Sequence, residues 1–532
     1  PPRSTLFPYT TLFRSGDGHT QLAPTSVIDA SGDGAKGGFV ELSGHTLHIG
    51  GQVDAGPGGN LLIDPIKLKI VTGAGGGTPS TSSARVGVNF IQNKLNSGQA
   101  VTLVAQNSIT NAASVTALTA TAGTGALTVK TGSLNVTVGG TLAGFSPNHC
   151  ISAGVCHAGS TVVFTATSGT INLTGMSINI KGAFTANALQ GTANLGAVQA
   201  KSVAITGGTI NLAGNVTASV GRISIAAHHG PATPATVTVA PGKVLTGSSV
   251  NILASGSYGG KITVGDILAV GGSINLHAQQ AAGIGTGPAS INAGNLTATK
   301  FVDLMRKGTA AGGAITVTGA IKASTGSVNV TQSFSGERVV TLSSTSKITA
   351  SKGVTVSGAK ITMGSVSVAG PLVVTSSPGA ASAAAIHVTA GKVLKAGAIN
   401  LAANDTKGAN ITLGDATATG GSIHISANDS GLVSGSGVIN AGNLTGKGIN
   451  MLVLGPNKVG LNVGAINAER INISASGKSD TVVTGALTAV NTASSAVVRI
   501  GETANVTGTL TVNGNITVSG KPHARSEERR GG

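Results

Sequence analysis

The chain has 532 residues, of which 82 are Gly, 9% are charged, 2% are aromatic and none is Trp. So much Gly would suit disorder, but 40% hydrophobic residues and a mean hydropathy of +0.30 oppose that, while the scarcity of aromatics opposes a large globular core. Lys and Arg exceed Asp and Glu by 16, yet no dense basic cluster with interleaved aromatics occurs, which argues against specific nucleic-acid binding and leaves two roles: weak attraction to anionic polysaccharide, lipopolysaccharide or nucleic acid, or simple solubilisation of sheet edges.

Residues 1–15 (PPRSTLFPYTTLFRS) show no alternation and hold three aromatics, Phe7, Tyr9 and Phe13. The far end, 524–532 (ARSEERRGG), is equally foreign. Both resemble translated sequencing-adapter read-through and are set aside from the fold, a natural flexible tail being the alternative. Without them a net charge of +13 remains on residues 16–523.

Gly32–Pro65 reads GDGAKGGFVELSGHTLHIGGQVDAGPGGNLLIDP. Gly32, Gly34 and Gly37 fit the letters of a dinucleotide fingerprint, but no apolar strand feeds the motif and no helix follows it. A coil turn fits better, followed by strands at Gly38–Leu42 and Thr46–Ile49 and a Gly-rich turn at Gly56–Gly59. Val88–Leu95 (VNFIQNKL) is predicted as one short helix, and no apolar run is long enough for a membrane span.

Cys150 and Cys156 lie in HCISAGVCH, with His149 and His157 beside them. The spacing suits a loop disulfide in an oxidising compartment; free thiols and a metal site are the alternatives. Adjacent His and Cys in a strand point to opposite faces, which hinders joint coordination. No metal or cofactor is expected.

From about residue 200 onward, short aliphatic bursts recur: Val203–Ile205, Ile210–Leu212, Ile223–Ile225, Val237–Val239, Val250–Leu253, Ile262–Val264 and Ile274–Leu276. Many alternate with period two. None could form a core alone, but stacked coils would bury continuous ladders of Ile, Val and Leu. A long duplication reinforces this reading. GKVL at Gly242 returns at Gly391, ITVGD at Ile262 as ITLGD at Ile411, and GGSINLHA at Gly271 as GGSIHISA at Gly420, each 149 residues on. INAGNLT at Ile291 returns at Ile439 after 148, so one residue is lost between. The expected fold is all-β, a right-handed parallel β-helix over residues 16–523, with the duplication at 236–300 and 385–448. At roughly 20–25 residues per coil it would hold about 20–25 coils.

Catalysis has little support. Asp266, Asp303, Glu337, Asp405, Asp415, Asp429, Glu469, Asp480 and Glu502 are scattered, and Asp266 and Asp415 are copies of one turn residue. Asp29, Asp33, Glu41, Asp54 and Asp64 are denser. His228-His229 has no acid nearby in sequence, and neither a G-x-S-x-G elbow nor H-E-x-x-H occurs. No catalytic residue is assigned. Asn-x-Ser/Thr strings begin at Asn135, Asn172, Asn215, Asn295, Asn329, Asn410, Asn443, Asn472, Asn505 and Asn515, as turn Asn and strand Thr would produce by chance.

Gly37–Gly44 (GGFVELSG), Val53–Ala55 (VDA), Leu61–Pro65 (LLIDP) and Phe90–Leu103 (FIQNKLNSGQAVTL) resemble filamentous haemagglutinin-like exoproteins of the two-partner secretion pathway. The likeness covers about 31–104; beyond that it is one of repeat style. It assigns the acids of Gly32–Pro65 to turns and strand ends. It implies a Gram-negative protein, secreted or held at the outer cell surface after export by a dedicated outer-membrane transporter. The role implied is that of an adhesin or biofilm factor contacting host or bacterial surface glycans or proteins. Some members are glycosylated on Asn-x-Ser/Thr. A stalk for a C-terminal toxin is the alternative function, and a β-helical polysaccharide-active enzyme a second. The secretion domain's NPN motif is absent; Ser146-Pro147-Asn148 and Gly455-Pro456-Asn457 are turn sequences.

Overall fold

Alternating apolar side chains on short strands are buried together when the strands of successive coils stack in register, and the chain does this with parallel strands. In the computed structural model 66% of residues are strand and 2% helix, with parallel strands stacked in β-solenoid coils. The structure describes residues 10–520 except 33–36, 74, 76–82, 113–116, 120–124, 136–139, 146–149, 153–154, 157–160, 167–168, 175, 181, 190, 230–232, 281–286, 309–311, 334–338, 378–382, 432–434, 478, 492–496 and 503–507. The chain divides into two compact units, Pro1–Val270 with Gly283–Gly285, and Gly271–Ala282 with Thr286–Gly532.

The first unit begins with β1 (Thr10–Leu22), β2 (Val27–Asp29), β3 (Phe39–Ile49), β4 (Gln52–Asp54), β5 (Asn60–Pro65), β6 (Lys67–Val71), β7 (Ala84–Gly87), α1 (Val88–Asn96) and β8 (Ala100–Asn111). Its interior is a ladder in which each residue pairs in parallel with the next: Val40, Leu61, Val101, Leu127, Val162, Phe184, Val203, Ile223 and Val250. All of these are at most 2% exposed. Fully burying one such side chain stabilises by roughly 1.5–3 kcal/mol, so the ladder rather than any single strand holds the unit together. The predicted helix forms as α1 and buries Val88, Phe90, Ile91 and Leu95. Lys94 lies 5.8 Å above the Phe90 ring; burial pushes its ammonium below the usual value, and Asp54 partly offsets this.

The second unit repeats the logic with Ile274, Val302, Val328, Val354, Leu372, Ile399, Ile423, Ile449 and Ile471, each in register with its neighbour. None is more than 1% exposed.

Three details differ from the sequence reading. Coil length is less uniform than about 20–25 residues: Val101 stacks on Leu61, 40 residues earlier, and Leu372 on Val354, 18 residues earlier. The fold starts inside the segment set aside, since Thr10–Ser15 pairs with Phe39–Gly44 as part of β1. An open sheet edge accepts any extended backbone, so this pairing needs no side-chain pattern. Pro1–Tyr9 and 521–532 lie outside the described residues. Finally, β7 is inserted between β3 and β6, pairing with both, although it follows β6 in the chain.

The duplicated segments give matching strands: Ala235–Val239 and Ala384–Val388, Val250–Gly256 and Ala398–Asp405, Gly260–Thr263 and Ala409–Thr412, Ile274–Gln280 and Ile423–Asp429. Gly242 and Gly391 occupy equivalent turns with the same φ of +73°, a conformation that favours glycine.

Candidate functional site

The solenoid turns every second side chain of a strand outward, and register stacks these into columns. In the second unit one column runs Asn275, Asp303, Asn329, Thr355, Val373, Asn400, His424, Asn450, Asn472, all half-buried or exposed. Eight of its nine rungs are polar. His277 Nε2 lies 2.8 Å from Asp303 Oδ2 and links adjacent coils across this face. In the first unit a comparable column runs Asn172, Asn194, Asn211, Thr238, Thr263. There the Asn211 Nδ2 donates to Asn194 Oδ1 at 2.8 Å, so the side-chain amides of neighbouring coils bond along the stack.

Asn and Asp at the turns act differently, because their oxygens accept from a backbone N–H of the next coil. Asn215 receives Val244 N–H at 3.0 Å, Asn295 receives Ala320 N–H at 2.8 Å and Asn443 receives Ala465 N–H at 2.9 Å. Asn295 and Asn443, copies under the duplication, thus make the same bond. Asp415 receives Asn443 N–H at 2.8 Å, and its copy Asp266 is likewise exposed, at the first residue of the strand Asp266–Ala269.

Asp29, Asp54, Asp405 and Asp429 also accept from backbone N–H groups. Asp29 accepts the N–H and hydroxyl of Ser31, which hold its carboxyl below the usual range. Asp54 accepts Gly56 N–H at 2.9 Å and Gln99 Nε2 at 2.7 Å, while Gln99 Oε1 accepts Ala55 N–H at 3.1 Å. This joins the VDA segment to the turn after α1, so the stretches that carry the family resemblance meet in space. Asp405 and Asp429, neighbours on adjacent coils and at most 9% exposed, accept from Ala384, Thr406 and Gly431 N–H. His229 hydrogen-bonds Thr233 Oγ1 at 2.7 Å. Asp33 lies outside the described residues.

Cys150–Ser152 and Val155–Cys156 form a small antiparallel pair with Cys150 opposite Cys156. The two side chains, and His149 and His157, lie outside the described residues. Opposed positions of an antiparallel pair hold their Cα atoms about 4.5–5.5 Å apart, within reach of a disulfide. Among the described residues no three His, Cys, Asp or Glu side chains converge as a metal site would require, and no helix is long and apolar enough to cross a membrane.

Two features were not found from sequence. Arg306 is fully buried, and three basic residues of β3, β7 and β6 fall in one outward column. Finding either requires the register, because the partners are distant in sequence. No protein-family model matches this chain and no curated protein matches it.

Proposed function

We propose that the chain is part of a secreted or surface-exposed fibrous adhesin that acts by multivalent contact with host or bacterial surface glycans or proteins. The observation that carries this reading is the outward column Asn275–Asn472, which offers polar groups on coil after coil above an interior of plain aliphatic ladders. Repeated weak sites on one scaffold gain avidity without any deep pocket. Asp54, Asp415 and Asp429 are committed to backbone N–H groups, which supports a non-catalytic role. Export by an outer-membrane two-partner transporter in a Gram-negative bacterium is the route that the resemblance at 31–104 suggests.

The test is attachment of bacterial or epithelial cells to surfaces coated with the chain at graded density. Multivalent contact predicts attachment that rises more steeply than coating density and is poorly inhibited by the dissolved chain. No attachment to any cell type, or inhibition at stoichiometric dissolved chain, would sink the proposal.

A further inference from the structure

We propose that the outward column of His48 on β3, Arg85 on β7 and Lys69 on β6, with Lys67 beside it, binds the sulfate or phosphate esters of an anionic polysaccharide. His48 pairs in register with Arg85, and Arg85 with Lys69. The strand spacing of about 4.8 Å therefore places three basic groups on successive rungs. Like charges directly opposite one another across strands destabilise a sheet. Among the described residues no ion pair neutralises Arg85, Lys67 or Lys69. The column continues into neutral residues on both sides, Gln21 on β1 and Thr110 on β8, so the charge is confined to this patch.

The side chains are also held in place. His48 Nδ1 and Arg85 Nε are shut off from solvent with no hydrogen-bond partner, while both residues remain half-buried and Lys67 is exposed. Packing thus fixes the inner atoms and leaves the outer donors facing out. A tetrahedral oxyanion that bridges two rungs would relieve the repulsion and accept charge-assisted bonds from a guanidinium and an ammonium at once. A row of such rungs matches an ester-bearing chain laid along the column. No Phe, Tyr or Trp lies in the column to stack a base, which disfavours single-stranded nucleic acid. The site lies on a different column from those behind the adhesion proposal, so either can fail without the other.

The test uses the whole chain and three fluorescent probes of equal charge: a sulfated oligosaccharide, a phosphorylated oligosaccharide and single-stranded DNA. Binding is read by anisotropy between 50 and 200 mM salt. Lys69→Gln/Arg85→Gln should weaken binding of at least one oligosaccharide about tenfold or more and reduce the slope of log K against log salt by about 1 to 2. Lys322→Gln/Lys395→Gln removes the same charge elsewhere and should change affinity less than about twofold. Whichever oligosaccharide binds identifies the ester. Lys67→Gln, at an exposed position, should give a two- to fivefold loss, on the order expected for one phosphate contact, even if the double variant folds poorly. Equal losses from both pairs, no loss from the first, no oligosaccharide binding at 100 mM salt, or tighter binding of DNA through the same residues would overturn the proposal.

Discussion

Arg306 is the largest fully buried side chain among the described residues. Its strand, Val302–Lys307, alternates strictly, so Arg306 points inward with Val302 and Leu304. Its Nε donates to Ala289 O at 2.6 Å. Room for the guanidinium comes from Gly313, where a Cβ would lie 2.3 Å from Arg306 Nη2 and 1.9 Å from Ala289 O. Burial pushes the guanidinium down to about 10. A cation whose folded value lies below its unfolded value costs stability at neutral pH, and that cost fades only as pH rises above about 10. The bond from Nε to Ala289 O offsets part of it. Arg306→Met, which keeps volume and removes the charge, should therefore alter unfolding free energy by less than about 1.5 kcal/mol. Gly313→Ala should cost about 1–3 kcal/mol, and Arg306→Met should not rescue it, because Ala289 O blocks the new methyl as well. Denaturant unfolding of the three variants decides this; a Gly313→Ala chain as stable as the parent would refute the packing account. The letters VDLMRK show the alternation, but not that a glycine of the next turn makes space for a charged end.

At the scale of the element, the repeated stretch GGSIHISA was legible except at Ser426, which alternation turns outward but which is only 7% exposed. Ile423 and Ile425 take the inward positions at 0% exposure while His424 is exposed. Ile423 stacks between Ile399 and Ile449. Ile423→Ala should cost about 2–5 kcal/mol, and His424→Ala about 0.5 kcal/mol or less. A comparable loss from both in thermal or denaturant unfolding would contradict the assigned faces. Periodicity revealed which residues face inward because side-chain direction in a strand is a local property. It could not reveal the insertion of β7 between β3 and β6, which depends on which backbone edge is free when β7 docks. The basic column was hidden for the same reason: Lys69 and Arg85 look scattered in sequence and become neighbours only through that pairing. The strand role of Thr10–Ser15 was equally hidden, since edge pairing asks nothing of side chains.

On the scale of the whole molecule, fold and proposed function both rest on repetition, and repetition can be tested by removing one unit of it. Each coil of the second unit contacts its neighbours through the same three ladders. Leu372, Ile399 and Ile423 form one; Ile386, Ile411 and Ile439 the second; Leu394, Ala416 and Leu444 the third. Deleting Ala398–Gly421 removes one rung from each. It brings Ile423 onto Leu372, Ile439 onto Ile386 and Leu444 onto Leu394, all aliphatic pairs in the register already used one coil away. In a quasi-one-dimensional stack this should subtract roughly one repeat's share of stability and leave unfolding cooperative. Deleting only Ala398–Ala409 instead removes part of a coil. The remaining strands then meet partners from the wrong ladder, and the second unit should fail to form. Circular dichroism and thermal unfolding distinguish the two products. The same pair bears on function: if contact is multivalent, losing Asn400 with its coil should weaken attachment only in part, because the rungs from Asn275 to Thr355 and from His424 to Asn472 remain. Complete loss of attachment in a deletion that still folds would place the activity in that single coil and refute the multivalent proposal.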